Sequence, residues 1–123
     1  MNKTEINIEV ASVIGDEYAV EASEGQKVFS MIQKAFEENR KVVLSFLNIK
    51  ILTTAFLNAA IGELHNNKNG FSEEFIKENL KIENLNESAI VKLKKVIDTA
   101  KLRYNDPDFH AKLQKSVEEI LGL

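Results

Sequence analysis

KVVLSFLNIKILTTAFLNAAIGEL, residues 41–64, is the stretch that decides the fold. Its apolar run at residues 42–47 is too short for a helix and is rich in β-branched and aromatic side chains, which predicts a buried strand. Phe56, Ala60 and Leu64 then recur every fourth residue, with Leu57 and Ile61 beside them, as in an amphipathic helix. The stretch therefore predicts a buried strand that leads, through a short connection, into a helix.

Two adjacent hydroxyl groups stand at this predicted strand-to-helix junction. A threonine at a helix start can accept a hydrogen bond from an unpaired backbone N–H group, so either Thr53 or Thr54 is expected to cap the helix. The positive end of the helix dipole also favours a negative group at this place. Capping and phosphate acceptance are the two roles that the sequence leaves open for these residues.

The rest of the chain supplies a regular order of elements around the junction. Residues 6–10 alternate as a strand, and a second strand at residues 18–20 follows the Gly15-Asp16 turn, which predicts a hairpin. Ser23 and Gln26 have the spacing of a capping box before a helix at residues 26–39. Helices at 54–66 and 87–104, with a strand at 80–85 between them, complete the order β-β-α-β-α-β-α. We therefore predict an α/β fold with a mixed four-stranded sheet in which residues 42–47 are central and covered by helices on both faces.

The junction and the order of elements resemble those of the STAS domains of anti-sigma-factor antagonists, and more closely the STAS-like domains of unknown function, which are small bacterial and phage proteins. In the latter the helix opens with Ser or Thr and then Phe, as in Thr54-Ala55-Phe56. The resemblance spans roughly residues 25–104. Thr54 falls on the residue that the antagonists phosphorylate and Thr53 on their aspartate. Ala55 and Phe56 replace their second serine and glycine, and Ser45 stands where STAS-like domains often carry an acidic residue.

This resemblance implies a non-enzymatic regulatory module for signalling by protein–protein interaction. In the antagonist family the domain binds a histidine-kinase-like ATPase regulator, and phosphorylation of the helix hydroxyl releases the complex. Thr54 would be the switch, with Thr53, Phe56 and Asn58 beside it at the interface. Two alternatives stay open: a small-ligand or anion sensor that uses the same strand-to-helix edge, and a scaffold that forms a homodimer.

Composition narrows the remaining classes of function. A net charge of −3, from 16 basic and 19 acidic residues, provides no basic footprint for nucleic acid or an anionic membrane. The chain has no cysteine, and its residues 1–5 lack the apolar core of a signal peptide, so we expect a cytoplasmic protein. Its scattered glycines form neither a P-loop nor a dinucleotide fingerprint. We expect no enzymatic activity, no cofactor and no metal site.

The side chains that could carry chemistry have simpler interpretations. His65, close to the end of a predicted helix, is interpreted as a surface residue that complements the helix dipole. The pair Glu73-Glu74 and the group Lys92, Lys94, Lys95 and Lys101 are interpreted as solvated helix faces. None of these residues has a partner at catalytic or metal-ligand spacing along the chain.

The last residues form a separate element. Asp106-Pro107-Asp108 has the N-cap, the proline and the acidic first turn of a helix start. Phe109, Leu113 and Val117 then lie on one stripe. We predict a STAS-like domain over residues 1–105 and an amphipathic helix over 106–123, packed on the same domain or on a partner.

Overall fold

The computed structural model describes residues 4–105, except for the side chain of Asn105. This part of the chain contains five strands and five helices. The strands are β1 (Glu5–Glu9), β2 (Tyr18–Ala19), β3 (Lys41–Ser45), β4 (Ile51–Leu52) and β5 (Leu80–Glu83). The helices are α1 (Val10–Ile14), α2 (Ala22–Glu37), α3 (Thr54–Ala60), α4 (Glu73–Asn79) and α5 (Glu87–Asn105), with short 3₁₀ turns at Gly62–His65 and Asn67–Asn69. The predicted C-terminal helix lies outside the described residues.

The central strand is the one that the apolar run predicts. β3 lies between β1 and β5, and both neighbours run parallel to it. Val42 and Leu44, at 1% and 0% exposure, face the main core, and Val43 on the opposite face is also buried. A parallel strand with cover on both faces needs apolar residues at every position, which explains the unbroken run Val42-Val43-Leu44.

The predicted mixed four-stranded sheet is not what the structure contains. The described residues form a three-stranded parallel sheet and a separate parallel pair of β2 with β4. The predicted hairpin is also wrong, because Val10 begins α1 instead of ending β1, and α1 closes on Gly15 in the left-handed conformation. β1 can then pair with β3, with Ile6 beside Val42 and Ile8 beside Leu44.

Two helix boundaries and one buried helix face differ from the predicted ones. α2 begins at Ala22, so Ser23 lies inside its first turn, and no side chain caps this helix. The predicted helix at 54–66 is α3 followed by the 3₁₀ turn that ends at His65. On α5 the apolar spacing predicts a buried stripe that begins at Ile90, but the structure buries Ala89, Leu93, Val96 and Ala100 and leaves Ile90 53% exposed. Small residues at 89 and 100 allow α5 to pack closely on the core, so the helix turns this face inward.

Other predicted boundaries are confirmed. α5 begins at Glu87, where Asn86 Oδ1 accepts the N–H of Ala89 at 2.8 Å. α4 follows Ser72, whose hydroxyl oxygen accepts the backbone N–H of Phe75 and caps the helix. Gly70 ends its 3₁₀ turn with φ at +76°, a left-handed conformation that glycine adopts without strain.

Candidate functional site

Thr53 is the residue that caps α3. Its hydroxyl oxygen accepts the backbone N–H of Phe56 at 3.2 Å and donates a hydrogen bond to the carbonyl of Val20 at 2.6 Å. The Thr53 N–H in turn donates to the carbonyl of Ala19 at 3.1 Å. Thr53 therefore joins the end of β2 to the start of α3, and both hydrogen-bonding functions of its hydroxyl are used within the fold.

Thr54 is the first residue of α3 and is exposed. Its hydroxyl makes no hydrogen bond to any residue that the structure describes. Asn58, four residues later and therefore on the same helix face, is exposed as well. Of the two threonines, the structure assigns the cap to Thr53 and leaves the hydroxyl of Thr54 open to solvent.

Phe56 was predicted beside these residues at an interface, but its side chain is 0% exposed. It packs in the main core, and its carbonyl lies where α2 passes closest to α3. A Cβ atom at Gly25 of α2 would come within 2.5 Å of that carbonyl oxygen. Phe56 therefore anchors α3 to the core. Its buried side chain cannot contact a partner.

An apolar surface lies beside the junction. Tyr18 and Ile51 are neighbours in the parallel pairing of β2 with β4 and are 45% and 51% exposed, while Ala19 and Leu52 behind them are buried. Val20, whose carbonyl Thr53 holds, is 39% exposed, and Leu47 is 52% exposed. We call Tyr18, Val20, Leu47 and Ile51 the junction patch. Contiguous exposed apolar side chains of this kind mark interaction surfaces.

A groove of 610 Å³ borders the junction patch at the carboxyl ends of β3 and β5. Leu47 and Ile51 form one wall, and Leu85 and Ala89 contribute to its lining. In open parallel sheets the carboxyl ends of the strands are the usual place for a ligand or partner. Leu47 and Ile51 belong both to the groove lining and to the junction patch, so the two surfaces adjoin, and Leu52 of the groove lies two residues before Thr54.

Ser45 joins the two loops that border this groove. Its hydroxyl oxygen accepts the side-chain N–H of Asn84 at 2.8 Å and the backbone N–H of Leu47 at 3.2 Å. Asn48 and Asn84, one in each loop, have φ of +67° and +63°. Asparagine is among the residues that adopt this left-handed conformation most readily. The serine and the two asparagines thus set the shape of the groove.

Two lysines supply the positive charge near the junction. Lys92 Nζ, on α5, donates to the carbonyl of Leu52 at 3.0 Å, so this residue is not part of a purely solvated face. Lys50 pairs with Glu17 at 2.8 Å, and the hydrogen bond to that carboxylate raises the pKa of the lysine. Lys94 and Lys95 are exposed, as predicted.

Comparison with known protein families identifies the family of this chain. A family model described as the STAS-like domain of unknown function (DUF4325) matches residues 24–89, more than half of the chain. The chain belongs to this family. The match runs from α2 to the first turn of α5 and includes Thr53, Thr54, Phe56 and Asn58. No curated protein and no solved structure matches the chain.

The STAS-like domain also contains a buried histidine that the sequence did not reveal. His65 is 4% exposed, and its Nδ1 lies 2.8 and 2.9 Å from the two carboxylate oxygens of Glu73. The interpretation of His65 as a surface residue is therefore wrong, and Glu73 is not simply solvated. The seven residues between them include the 3₁₀ turn Asn67–Asn69, so local spacing carried no signal for this pair.

Neither a metal cluster nor a membrane-spanning helix occurs in the described part of the STAS-like domain. Within residues 4–105, the His, Asp and Glu side chains form no group of three that could hold a metal ion. Over the same residues, every helix is too short or too polar to cross a membrane.

Proposed function

We propose that this STAS-like domain is a non-enzymatic regulatory module that binds a protein partner through Thr54, Asn58 and the junction patch. The observation that carries the proposal is the division of roles between the two threonines. Thr53 caps α3 and holds the carbonyl of Val20 in the junction patch, whereas Thr54, the next residue, is exposed. A group at Thr54 can therefore change the surface without changing the cap.

The proposed partner is a histidine-kinase-like ATPase, and the proposed control is phosphorylation of Thr54. The support for both is the relation of this family to the anti-sigma-factor antagonists. A phosphate on Thr54 would add roughly −1.5 to −2 charges at the start of α3, next to the residue whose hydroxyl holds Val20 of the junction patch. The fold should tolerate this charge, because the dipole of the helix stabilises a negative group at the helix start by about 0.3–1 kcal/mol. A partner with an apolar surface would have to remove water from the phosphate when it docks on the junction patch. The cost of this desolvation weakens the complex.

A dimerising scaffold is the second candidate, and one observation favours it. Ile90 and Val91 in the first turns of α5 are 53% and 68% exposed, which leaves apolar surface outside the junction patch. A second copy of the chain could cover these side chains.

Affinity purification of the tagged protein from its native cells tests the proposal. Mass spectrometry of the bound proteins should identify an ATPase partner, and phosphopeptide analysis of the purified chain should find a fraction modified at Thr54 and none at Thr53. Recovery of only a second copy of the chain, with Thr54 unmodified under all growth conditions, would favour the scaffold instead.

A further inference from the structure

A second cavity, which shares no lining residue with the junction groove, has the character of a small-molecule site. It has a volume of 310 Å³ and lies between the 3₁₀ turn Gly62–His65, α4, β5 and α5. Five aliphatic side chains line it: Ile61, Ile76, Leu80, Ile82 and Ile97. Small-molecule sites are typically concave, mostly apolar and about 300–1,000 Å³ in volume, with a few polar groups that orient the ligand.

His65 is the polar group that the core presents to this cavity. Every hydrogen bond of its ring to the described residues is made by Nδ1, with Glu73 as the partner. No side-chain nitrogen or oxygen among the described residues is fully buried without a partner. Nε2 of this almost completely buried ring therefore keeps access to open space, and the space that His65 lines is the cavity.

The Glu73 carboxylate fixes a proton on Nδ1 and leaves Nε2 to a ligand. An ionised carboxylate only accepts hydrogen bonds, so the Nδ1 atom that faces it carries the proton. In neutral imidazole Nε2 is then an acceptor, and in the imidazolium ion it is a donor. A hydroxyl group both donates and accepts hydrogen bonds, so it matches Nε2 in either form.

The charges at the mouth of the cavity balance. Lys77 and Lys101 line it together with Glu73 and Glu74, and Lys101 Nζ lies 3.7 Å from Glu73 Oε2. Two positive and two negative side chains give no net attraction for a charged molecule. We propose that this cavity binds an uncharged small molecule with a compact apolar body and one hydroxyl group, which forms a hydrogen bond with His65 Nε2.

Three probes of similar shape test this assignment on the full chain: 4-propylphenol, propylbenzene and 4-propylbenzoate. Binding is followed by backbone amide NMR shifts and by calorimetry. We expect 4-propylphenol to bind roughly tenfold more tightly than propylbenzene, because bound propylbenzene leaves His65 Nε2 without a hydrogen-bond partner. The shifts should be largest around Ile61, Ile82 and Ile97. Equal affinity of the first two probes, tighter binding of the benzoate, or no binding at this cavity would overturn the proposal.

Two variants, with one control, test whether the probes bind in this cavity and contact His65. His65→Phe retains an aromatic ring without the nitrogen and should reduce the advantage of 4-propylphenol over propylbenzene to about onefold. Ile97→Trp fills the cavity from its half-buried rim on α5 and should abolish binding of both probes. Ile90→Trp, an equal enlargement on an exposed position of the same helix, is the control and should leave both affinities unchanged. If Ile97→Trp is folded and still binds 4-propylphenol, the site lies elsewhere and the proposal fails.

Discussion

The hydroxyl of Thr53 donates a 2.6 Å hydrogen bond to the carbonyl of Val20, 33 residues earlier in the chain. The same oxygen accepts the Phe56 N–H that begins α3. One hydroxyl group therefore fixes both the end of β2 and the start of the helix that carries Thr54. The hydroxyl of Thr54, in contrast, makes no hydrogen bond to any of the described residues.

The first prediction compares the two threonines. Thr53→Ala should lower the free energy of unfolding by about 0.5–2 kcal/mol, because it removes an N-cap. Thr54→Ala is the matched control at an exposed position and should change it by less than about 0.5 kcal/mol. Urea denaturation followed by circular dichroism measures both. Equal losses in the two variants would contradict the assignment of the cap to Thr53.

Gly25 provides a test of the packing beneath the junction. Gly25→Ala should destabilise the protein by about 1–3 kcal/mol, because the new Cβ would lie 2.5 Å from the backbone oxygen of Phe56 and 2.9 Å from Ala59 Cβ. Gly62→Ala is the control, since its Cβ would first meet the side-chain oxygen of Asn58 at 3.2 Å. Thermal unfolding should show a clear loss for the first variant and a smaller change for the second. A Gly25→Ala protein as stable as wild type would rule out this close helix contact.

Substitutions of Ser45 test whether its hydrogen bonds hold the two loops that border the groove. Ser45→Ala should cost about 0.5–1.5 kcal/mol because Asn84 and the Leu47 N–H lose their common acceptor. Ser45→Asp supplies an ionised acceptor to the same donors and should retain the wild-type stability. Chemical denaturation gives the free energies, and amide NMR shifts of residues 46–49 and 84–86 report the loop geometry. Ser45→Asp behaving like Ser45→Ala would show that these hydrogen bonds do not hold the loops.

We predict that the free energy of unfolding depends on pH through the phenol of Tyr104. Burial raises the pKa of its phenol above 10.0, and the Glu63 carboxylate, which accepts its hydrogen bond at 3.1 Å, raises it further. Above pH 10 the unfolded chain loses this proton before the folded one, so the stabilisation is complete below pH 10 and is lost as pH rises through the folded pKa. In Tyr18→Phe, which leaves Tyr104 as the only tyrosine, phenolate absorbance should titrate at a higher pH in native than in denatured protein. Coincident titrations would contradict the contact with Glu63.

The sequence predicted the parts of the fold that depend on continuous patterns. The apolar run at 42–47 identified the central strand, and the residues around Thr54 identified the family. The pairing of β2 with β4 could not be predicted, because each strand has two residues and the register joins Tyr18 to a residue 33 positions away. β1 was assigned to a hairpin because Val10 fits both the alternation of a strand and the first turn of a helix.

The positions of the candidate site residues follow from the sequence only in part. Helical spacing places Thr54 and Asn58 on one face, and both residues are exposed in the structure, whereas their role stays a prediction. Phe56 lies on the opposite face and is buried, as its role in the apolar helix pattern already required. The contact of Thr53 with Val20, and that of His65 with Glu73, join distant segments, so they follow from tertiary packing alone.

The most direct test of the central claim is the binding of Thr54 variants to the partner that affinity purification recovers. Calorimetry on folded wild type, Thr54→Ala and Thr54→Glu should give similar affinities for the first two and at least roughly tenfold weaker binding for Thr54→Glu, because an unpaired charge is then buried at the contact. Ser30→Glu, which adds the same charge at an exposed position of α2, is the control and should bind as wild type does. Equal affinities of all four proteins would contradict a switch at Thr54.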